Sequence, residues 1–172
     1  AGPLDNSWFL VEVVLSCPNG GGLCLAWYES VKFQVISKHV TYFCVRVIEL
    51  SGLQWVLFLF YGHPNLPKRQ HTWQDVKSKL SPYNQPFAIV RDFNQILNDQ
   101  DRLSFCNRPP TGSHQFRSFL SDLGLPELQH QGVWFTWTNS RSGSHATFER
   151  LDRAFVTQSW LQLFPNAMFQ NL

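Results

Sequence analysis

The sequence predicts a single α+β domain in which sheets and helices pack in layers. Three observations support this fold class. Short apolar runs of strand length follow one another through the first third of the chain. Residues 70–80 and 113–123 have helical spacing instead, and further strand-like runs lie around them. Because neither a repeat nor a linker interrupts the 172 residues, we expect these strands and helices to form one layered unit.

The first third of the chain predicts an antiparallel β-meander with short turns. Strands are expected at residues 8–15, 23–27, 31–37, 43–50 and 55–60. A Pro-Asn-Gly-Gly-Gly turn at residues 18–22 joins the first two. Since no Gly-Lys-Ser/Thr follows these glycines, we interpret them as a hairpin turn rather than as a phosphate-binding loop.

Two helices carry the clearest periodicity. Residues 113–123 repeat apolar side chains at the spacing of one helical face, with Ser113 as the expected N-cap and Gly124 as the stop. Residues 70–80 show the same spacing and end before Pro82. The remaining expected elements are a strand at 87–90, a loop at 98–112, a strand at 135–137, a hairpin tip at 139–145, a strand at 147–156 and a short helix at 159–164.

Composition and charge exclude several classes of protein. The chain is 44% hydrophobic and 15% aromatic, which is globular rather than disordered composition. A net charge of +2 neither requires nor excludes a nucleic-acid partner. The four cysteines lack metal-ligand spacing, and the longest apolar run, at 55–61, is too short to cross a bilayer. We therefore expect an intracellular protein, inside or outside the nucleus, with no membrane partner and nothing that points to an oligomer.

The strand expected at residues 87–90 ends in polar residues that could form a site. Asp92 and Asn94 alternate around Phe93, so both polar side chains can point the same way while Phe93 packs inward. A carboxylate and a carboxamide at the end of a strand are common parts of a catalytic site. Asp and Asn are also common at the start of ordinary loops, so this pattern alone leaves both interpretations open.

Five short motifs occur in order along residues 21–165. They are Gly21-Gly22-Leu23 with Trp27, Tyr61-Gly62-His63-Pro64, Asp92-Phe93-Asn94, Phe135-Thr136-Trp137 with Asn139, and Arg150-Leu151-Asp152-Arg153. Together they resemble the endonuclease/exonuclease/phosphatase family, which has the fold of pancreatic deoxyribonuclease. Within it they are most similar to the endonuclease domain of plant LINE-type, non-LTR retrotransposons. The resemblance implies a four-layered α/β sandwich of the deoxyribonuclease type, spanning residues 1–172 as one domain.

The resemblance also implies Mg²⁺-dependent cleavage of phosphodiester bonds in DNA. Asp92 resembles the carboxylate that activates water, and Asn94 resembles the carboxamide that positions the phosphate. Tyr61 resembles the phenol that donates toward the phosphate. Asp152 resembles the carboxylate that holds the catalytic histidine of the family, although pairing with Arg150 or Arg153 is a structural alternative.

The same resemblance assigns a DNA-facing surface. Thr136, Trp137 and Asn139 match the family positions where aromatic and polar side chains meet DNA. For Trp137 the sequence leaves a second interpretation open, because a tryptophan on a strand can equally belong to the core. Tyr61 could likewise serve only to end its strand.

The chain also departs from the family pattern. The metal-binding Glu upstream of the Gly-Gly-Leu turn and the downstream Ser-Asp-His have no counterpart, so no metal ligand is assigned. Arg91 replaces a Gly beside the catalytic Asp, and Gln95 replaces a Glu. Because a guanidinium would repel a nearby Mg²⁺, we expect an impaired site in a domain that is incomplete at both ends. The alternatives are a DNA-binding remnant that does not cut and another phosphoesterase of the same superfamily.

Overall fold

The computed structural model describes residues 9–15, 22–28, 32–105 and 111–171. The strands are β1 (Phe9–Leu15), β2 (Gly22–Tyr28), β3 (Lys32–His39), β4 (Tyr42–Ile48), β5 (Gln54–Tyr61), β6 (Phe87–Asp92), β7 (Arg102–Ser104), β8 (His130–Gly132), β9 (Trp137–Thr138), β10 (Thr147–Glu149), β11 (Asp152–Val156) and β12 (Phe169–Asn171). The helices are α1 (Leu66–Leu80), α2 (Ser113–Asp122) and α3 (Gln158–Leu163). Apart from Gly22, the turn predicted at 18–22 lies outside these residues.

A five-stranded mixed sheet in the order β11-β6-β5-β4-β3 forms the centre of the fold. The predicted antiparallel meander is confirmed for β3, β4 and β5. β5 and β6 are parallel because α1 connects them as a crossover. β1 and β2 form a separate antiparallel hairpin. A small three-stranded sheet has the order β7-β10-β9, and a two-stranded sheet pairs β8 with β12.

Alternate side chains of the central strands divide the core between the two faces of this sheet. On one face, Phe58 and Phe60 pack against α1 and α2, where the rings of Trp73 and Phe116 stack with centroids 5.2 Å apart. On the other face, the β1–β2 hairpin covers β4, and Trp160 of α3 packs against β6 and β11. The described residues therefore form an α+β sandwich, as predicted.

Both long helices exist where the periodicity placed them, but their starts differ. α1 begins at Leu66 because the Asn65 side chain accepts a hydrogen bond from the Lys68 amide at 3.2 Å. For α2 the predicted Ser113 cap is wrong. Gly112 occupies the N-cap position with φ +89° and without a capping side chain. The predicted stop is confirmed, since Gly124 adopts φ +61° directly after the helix.

The strand predicted at 147–156 is divided between two sheets. β10 pairs with β7 and β9, whereas β11 pairs with β6 in the central sheet. The prediction of one continuous strand is therefore wrong. The prediction of a loop over residues 98–112 is also wrong, because this range contains β7. Local apolar pattern could not reveal this division, because residues 150–151 change sheets through long-range contacts.

Those long-range contacts form a buried charge network at the division. The Arg153 guanidinium contacts the Asp101 carboxylate, and its Nη1 donates to Glu127 at 2.7 Å. Arg150 donates to the same Glu127 oxygen at 2.7 Å and lies over the Trp134 ring, 4.3 Å from its centroid. The alternative in which Asp152 pairs with either arginine is wrong, because their described ion pairs go to these two acids.

No helix in the described ranges has the length and apolar character needed to span a bilayer.

Replacing Asp101 by Asn should be strongly destabilising. Asp101 is fully buried, and its carboxylate also accepts hydrogen bonds from the amides of Leu97 and Asn98. Removing its charge leaves Arg153 buried without full compensation, which costs about 3–5 kcal/mol in the free energy of unfolding. Urea denaturation measures this change.

The matched control is Asp122→Asn, which breaks an ion pair with Lys77 whose two side chains are 50% and 43% exposed. An exposed pair contributes less than about 1 kcal/mol. Equal losses in the two variants would contradict the structural role of the buried network.

Candidate functional site

Three polar residues meet at the end of the central sheet. Tyr61 is the last residue of β5, Asp92 is the last of β6, and Asp152 is the first of β11. Asp92 is paired in register with Tyr61 on one side and with Asp152 on the other. Since neighbouring strands lie about 4.8 Å apart and residues in register share a face, these side chains form one row. This row, Tyr61–Asp92–Asp152, unites three of the four residues predicted to be catalytic.

Asn94, the fourth predicted catalytic residue, holds the Asp92 carboxylate. Its backbone amide donates to Asp92 Oδ1 at 2.7 Å, and its Nδ2 approaches Oδ2 at 3.3 Å. The same Nδ2 donates to the Gly62 carbonyl at 2.6 Å. Asn94 adopts φ +50°, a conformation that asparagine tolerates better than most residues. Phe93 between them is fully buried, so the predicted alternation is confirmed.

Burial changes the acidity of Asp92. Loss of solvent raises the pKa of its carboxyl from 3.8 to about 6. The Asn94 amide lowers this pKa, the negative charge of Asp152 raises it, and the positive charge of Arg69 lowers it, in that order of size. A carboxylate with a pKa near 6 is ionised at neutral pH and accepts a proton more readily than an ordinary aspartate.

Gly62 permits a close backbone approach beside Asp92. A Cβ at Gly62 would lie 2.1 Å from the Phe93 carbonyl oxygen, so only glycine fits. The Gly62 amide donates to the Asp92 carbonyl at 2.7 Å. The Tyr-Gly motif thus places Tyr61, which is 38% exposed, against the end of β6.

Arg69 is an important residue that the sequence reasoning missed. It is buried on α1, where its Nη1 donates to the His63 and Pro64 carbonyls at 2.8 and 3.0 Å. Its Nη2 donates to Gln95 Oε1 at 3.0 Å. This bond joins the turn after β5 to the segment after β6. Burial lowers the pKa of Arg69, and the charge of Asp92 partly counters this. The available signal was an arginine four residues before Trp73 on the buried helix face.

Thr136, which directly precedes β9, supports Asp152. Its Oγ1 accepts hydrogen bonds from the amides of Leu151 and Asp152 at 3.0 and 3.1 Å. The start of β11 is therefore held by a side chain that the sequence assigned to DNA contact. Since a hydroxyl has further donor capacity, the DNA role of Thr136 stays a prediction.

Trp137 and Asn139 lie on and just after β9. Trp137 is 44% exposed, which excludes the core alternative. Asn139 organises the hairpin tip, because its Oδ1 accepts the Arg141 and Thr147 amides and its Nδ2 donates to the His145 carbonyl. DNA contact by these two residues stays a prediction.

Arg91 has a strained backbone directly before Asp92. Its φ is +105°, a region that residues with a Cβ rarely adopt. Its partners in register, Phe60 and Arg153, are buried, whereas Arg91 is exposed. Arg91 therefore does not share the burial of its neighbours in register, and it has a backbone conformation that glycine adopts without strain.

The row contains carboxylates, which are side chains of the type that can bind a divalent cation. The described ranges contain no group of three or more His, Cys, Asp or Glu side chains placed to hold a metal. Mg²⁺, however, is commonly bound by one or two carboxylates, with phosphate oxygens and water as the other ligands. Asp92 and Asp152, which are paired in register, are the two carboxylates of the row.

The comparisons with known proteins connect this geometry to a fold. Neither a protein-family model nor a curated protein matches the chain. Among solved structures, the chain is similar to the endonuclease domain of TRAS1, a telomere-specific non-LTR retrotransposon. The TM-score is 0.61 at 20% identity, over 89% of this chain and 69% of that one. The fold of this chain is thus similar to the fold of that endonuclease domain.

Two further solved structures have lower scores. The human Nocturnin catalytic domain gives a TM-score of 0.47 at 12% identity, over 87% of this chain and 60% of that one. An endonuclease/exonuclease/phosphatase family protein from Bacteroides thetaiotaomicron gives 0.44 at 14% identity, over 79% and 54%. The chain therefore spans between about half and two thirds of the length of these structures.

Replacing Arg91 by Gly should stabilise the protein. Glycine adopts φ +105° without steric strain, so we expect a gain of about 1–2 kcal/mol in the free energy of unfolding. The matched control is Arg91→Ala, which removes the guanidinium and keeps the Cβ. If strain is the cause, chemical denaturation shows the gain in the Gly variant alone.

Replacing Asp92 by Asn should stabilise the protein at neutral and higher pH, where the wild-type carboxylate is ionised, and not in acid. Because the folded-state pKa is raised from 3.8 to about 6, wild-type stability falls as the pH rises through this range. An asparagine side chain carries no charge, so Asp92→Asn should be more stable than the wild type by up to about 3 kcal/mol at neutral pH and nearly equal in acid. Thermal unfolding against pH measures the difference, with exposed Asp75→Asn as control. A gain that does not depend on pH would refute this explanation.

Proposed function

We propose that the row Tyr61–Asp92–Asp152, with Asn94, hydrolyses phosphodiester bonds of DNA in the manner of an endonuclease. The observation that carries this proposal is the convergence of these four residues at one end of the central sheet. They come from three separate motifs, and each motif had suggested a catalytic role. The fold likeness to a retrotransposon endonuclease domain adds support for a nuclease-type phosphodiesterase.

In this proposal Asp92 accepts the proton of the attacking water. The water oxygen forms a bond to phosphorus, the bond from phosphorus to the leaving sugar oxygen breaks, and that oxygen takes a proton from solvent. The pKa of Asp92, near 6, suits a base at neutral pH. Asn94 fixes the orientation of the carboxylate through both of its oxygens.

The other residues of the row bind and orient the phosphate. The Tyr61 hydroxyl donates a hydrogen bond toward a phosphate oxygen. Asp152, together with phosphate oxygens and water, would hold Mg²⁺, which would supply positive charge for the phosphate in the transition state. The exposed ring of Trp137, beside Glu149 in the small sheet, offers a surface for the nucleic acid.

Arg91 favours a second candidate function, which is DNA binding without efficient cleavage. Its guanidinium is exposed, and its backbone is joined directly to Asp92. We propose that this exposed positive charge attracts phosphate and weakens the binding of Mg²⁺ at the row. We therefore propose that catalysis is slow in this chain and that DNA binding is retained.

A plasmid-nicking assay tests the first candidate. We expect slow nicking that requires Mg²⁺ and rises with pH through about 6, because Asp92 must be ionised to accept a proton. Asp92→Asn should reduce the rate by at least about a hundredfold. Arg91→Gly should increase it, and the exposed Asp122→Asn should leave it unchanged. Undiminished nicking by Asp92→Asn would refute the catalytic assignment.

Fluorescence anisotropy with a DNA duplex tests the second candidate, which is DNA binding without efficient cleavage. Binding that weakens as salt is added, without nicking under any metal condition, would favour a binding module. A chain that neither nicks nor binds DNA would refute both proposals.

A further inference from the structure

His63 lies in the turn next to the row Tyr61–Asp92–Asp152, and its ring has no part in the proposed cleavage step. It follows Gly62, whose amide donates to the Asp92 carbonyl at 2.7 Å and whose carbonyl accepts from Asn94 at 2.6 Å. Consecutive Cα atoms are about 3.8 Å apart, so the His63 backbone lies close to Gly62, which is hydrogen-bonded to both Asp92 and Asn94. The side chain is partly exposed.

The turn that carries His63 is fastened to the site. Arg69, which is 7% exposed, donates to the His63 carbonyl and, through its other nitrogen, to Gln95. Gln95 is buried and immediately follows Asn94. The turn is thus bonded to residues 92–95 at two points, through Gly62 and through Arg69. These bonds hold the His63 backbone at a fixed place on the rim.

One hydrogen bond determines the tautomer of the His63 ring. The Asn65 backbone amide donates to His63 Nδ1 at 2.9 Å. A backbone N–H is always a donor, so Nδ1 acts as the acceptor and the neutral ring carries its hydrogen on Nε2. Within the described ranges, Nε2 makes no hydrogen bond to another residue. The turn therefore presents an N–H donor on the rim of the site.

We propose that His63 is a further substrate-binding residue, whose Nε2–H donates a hydrogen bond to a non-bridging phosphate oxygen of the nucleic-acid backbone. This inference rests on the proposed function, because it requires a phosphodiester at the row.

The charge of the row explains the usefulness of such a donor. Asp92 and Asp152 repel a phosphate, so donors on the rim are needed to hold it. The His63 ring, whose Nδ1 accepts from the Asn65 amide, supplies such a donor through Nε2–H.

Two substitutions separate the two nitrogens of the ring. In His63→Asn, Oδ1 replaces Nδ1 as the acceptor for the Asn65 amide, an arrangement that asparagine adopts in turns, but nothing replaces Nε2. In His63→Gln, the amide nitrogen reaches the region of Nε2, and the acceptor near the backbone is lost. His71→Asn, at an exposed position of α1, is the matched control.

The affinity for a fluorescein-labelled DNA duplex is measured by anisotropy at low salt with EDTA, so that no cleavage occurs. His63→Asn should bind about tenfold more weakly with an unchanged Tm, which is the effect of losing one hydrogen bond to a charged group. His63→Gln should keep most of the affinity while its Tm falls. His71→Asn should match the wild type.

Wild-type affinity in His63→Asn would overturn the inference and leave the proposed function standing. Parallel losses of Tm and affinity in both His63 variants would also overturn it, because the ring would then only support the turn. Absence of DNA binding by the wild type as well would overturn the proposed function itself.

Imidazole nitrogen NMR provides a readout that does not depend on activity. We expect the Nε2–H tautomer of His63 in the free protein and a downfield shift of this proton when the duplex is added. An Nδ1–H tautomer, or an Nε2 proton that does not respond to DNA, would overturn the inference.

Discussion

The register of β6 with its two neighbours is the constraint on which the site depends. It places Asp92 opposite both Tyr61 and Asp152, although the three residues lie far apart in the chain. A slip of one residue would turn the carboxylate to the other face of the sheet. Phe93 in the core and the bond from the Gly62 amide to the Asp92 carbonyl resist such a slip.

The same strand end concentrates features that reduce stability. Asp92 is a carboxylate withdrawn from water beside the like charge of Asp152, and Arg91 adopts a backbone conformation suited to glycine. Such features persist only where the surrounding structure stabilises them. Here the aromatic cluster around Phe93 and Phe116 provides that stabilisation, because it packs both helices onto the sheet directly below the site.

Buried arginines connect the loops that carry the functional residues. Arg69 joins the turn after β5 to Gln95 after β6, and Arg153 joins β11 to the acids Asp101 and Glu127. Each arginine has two or more oxygen partners, which offsets part of the cost of removing its charge from water. Loops with few apolar contacts are thereby held in one arrangement, as a site that orients a phosphate requires.

Sequence pattern by itself determined the features that depend on neighbours along the chain. These are the meander, the two long helices, the stop at Gly124 and the alternation of Asp92 and Asn94 around Phe93, since apolar periodicity and glycine conformation are local properties. Tertiary structure alone decided the division of 147–156 into two strands, the bond of Thr136 to the Asp152 amide and the raised pKa of Asp92. These depend on burial and on partners distant in sequence, which set hydrogen bonds and solvation and leave no local pattern.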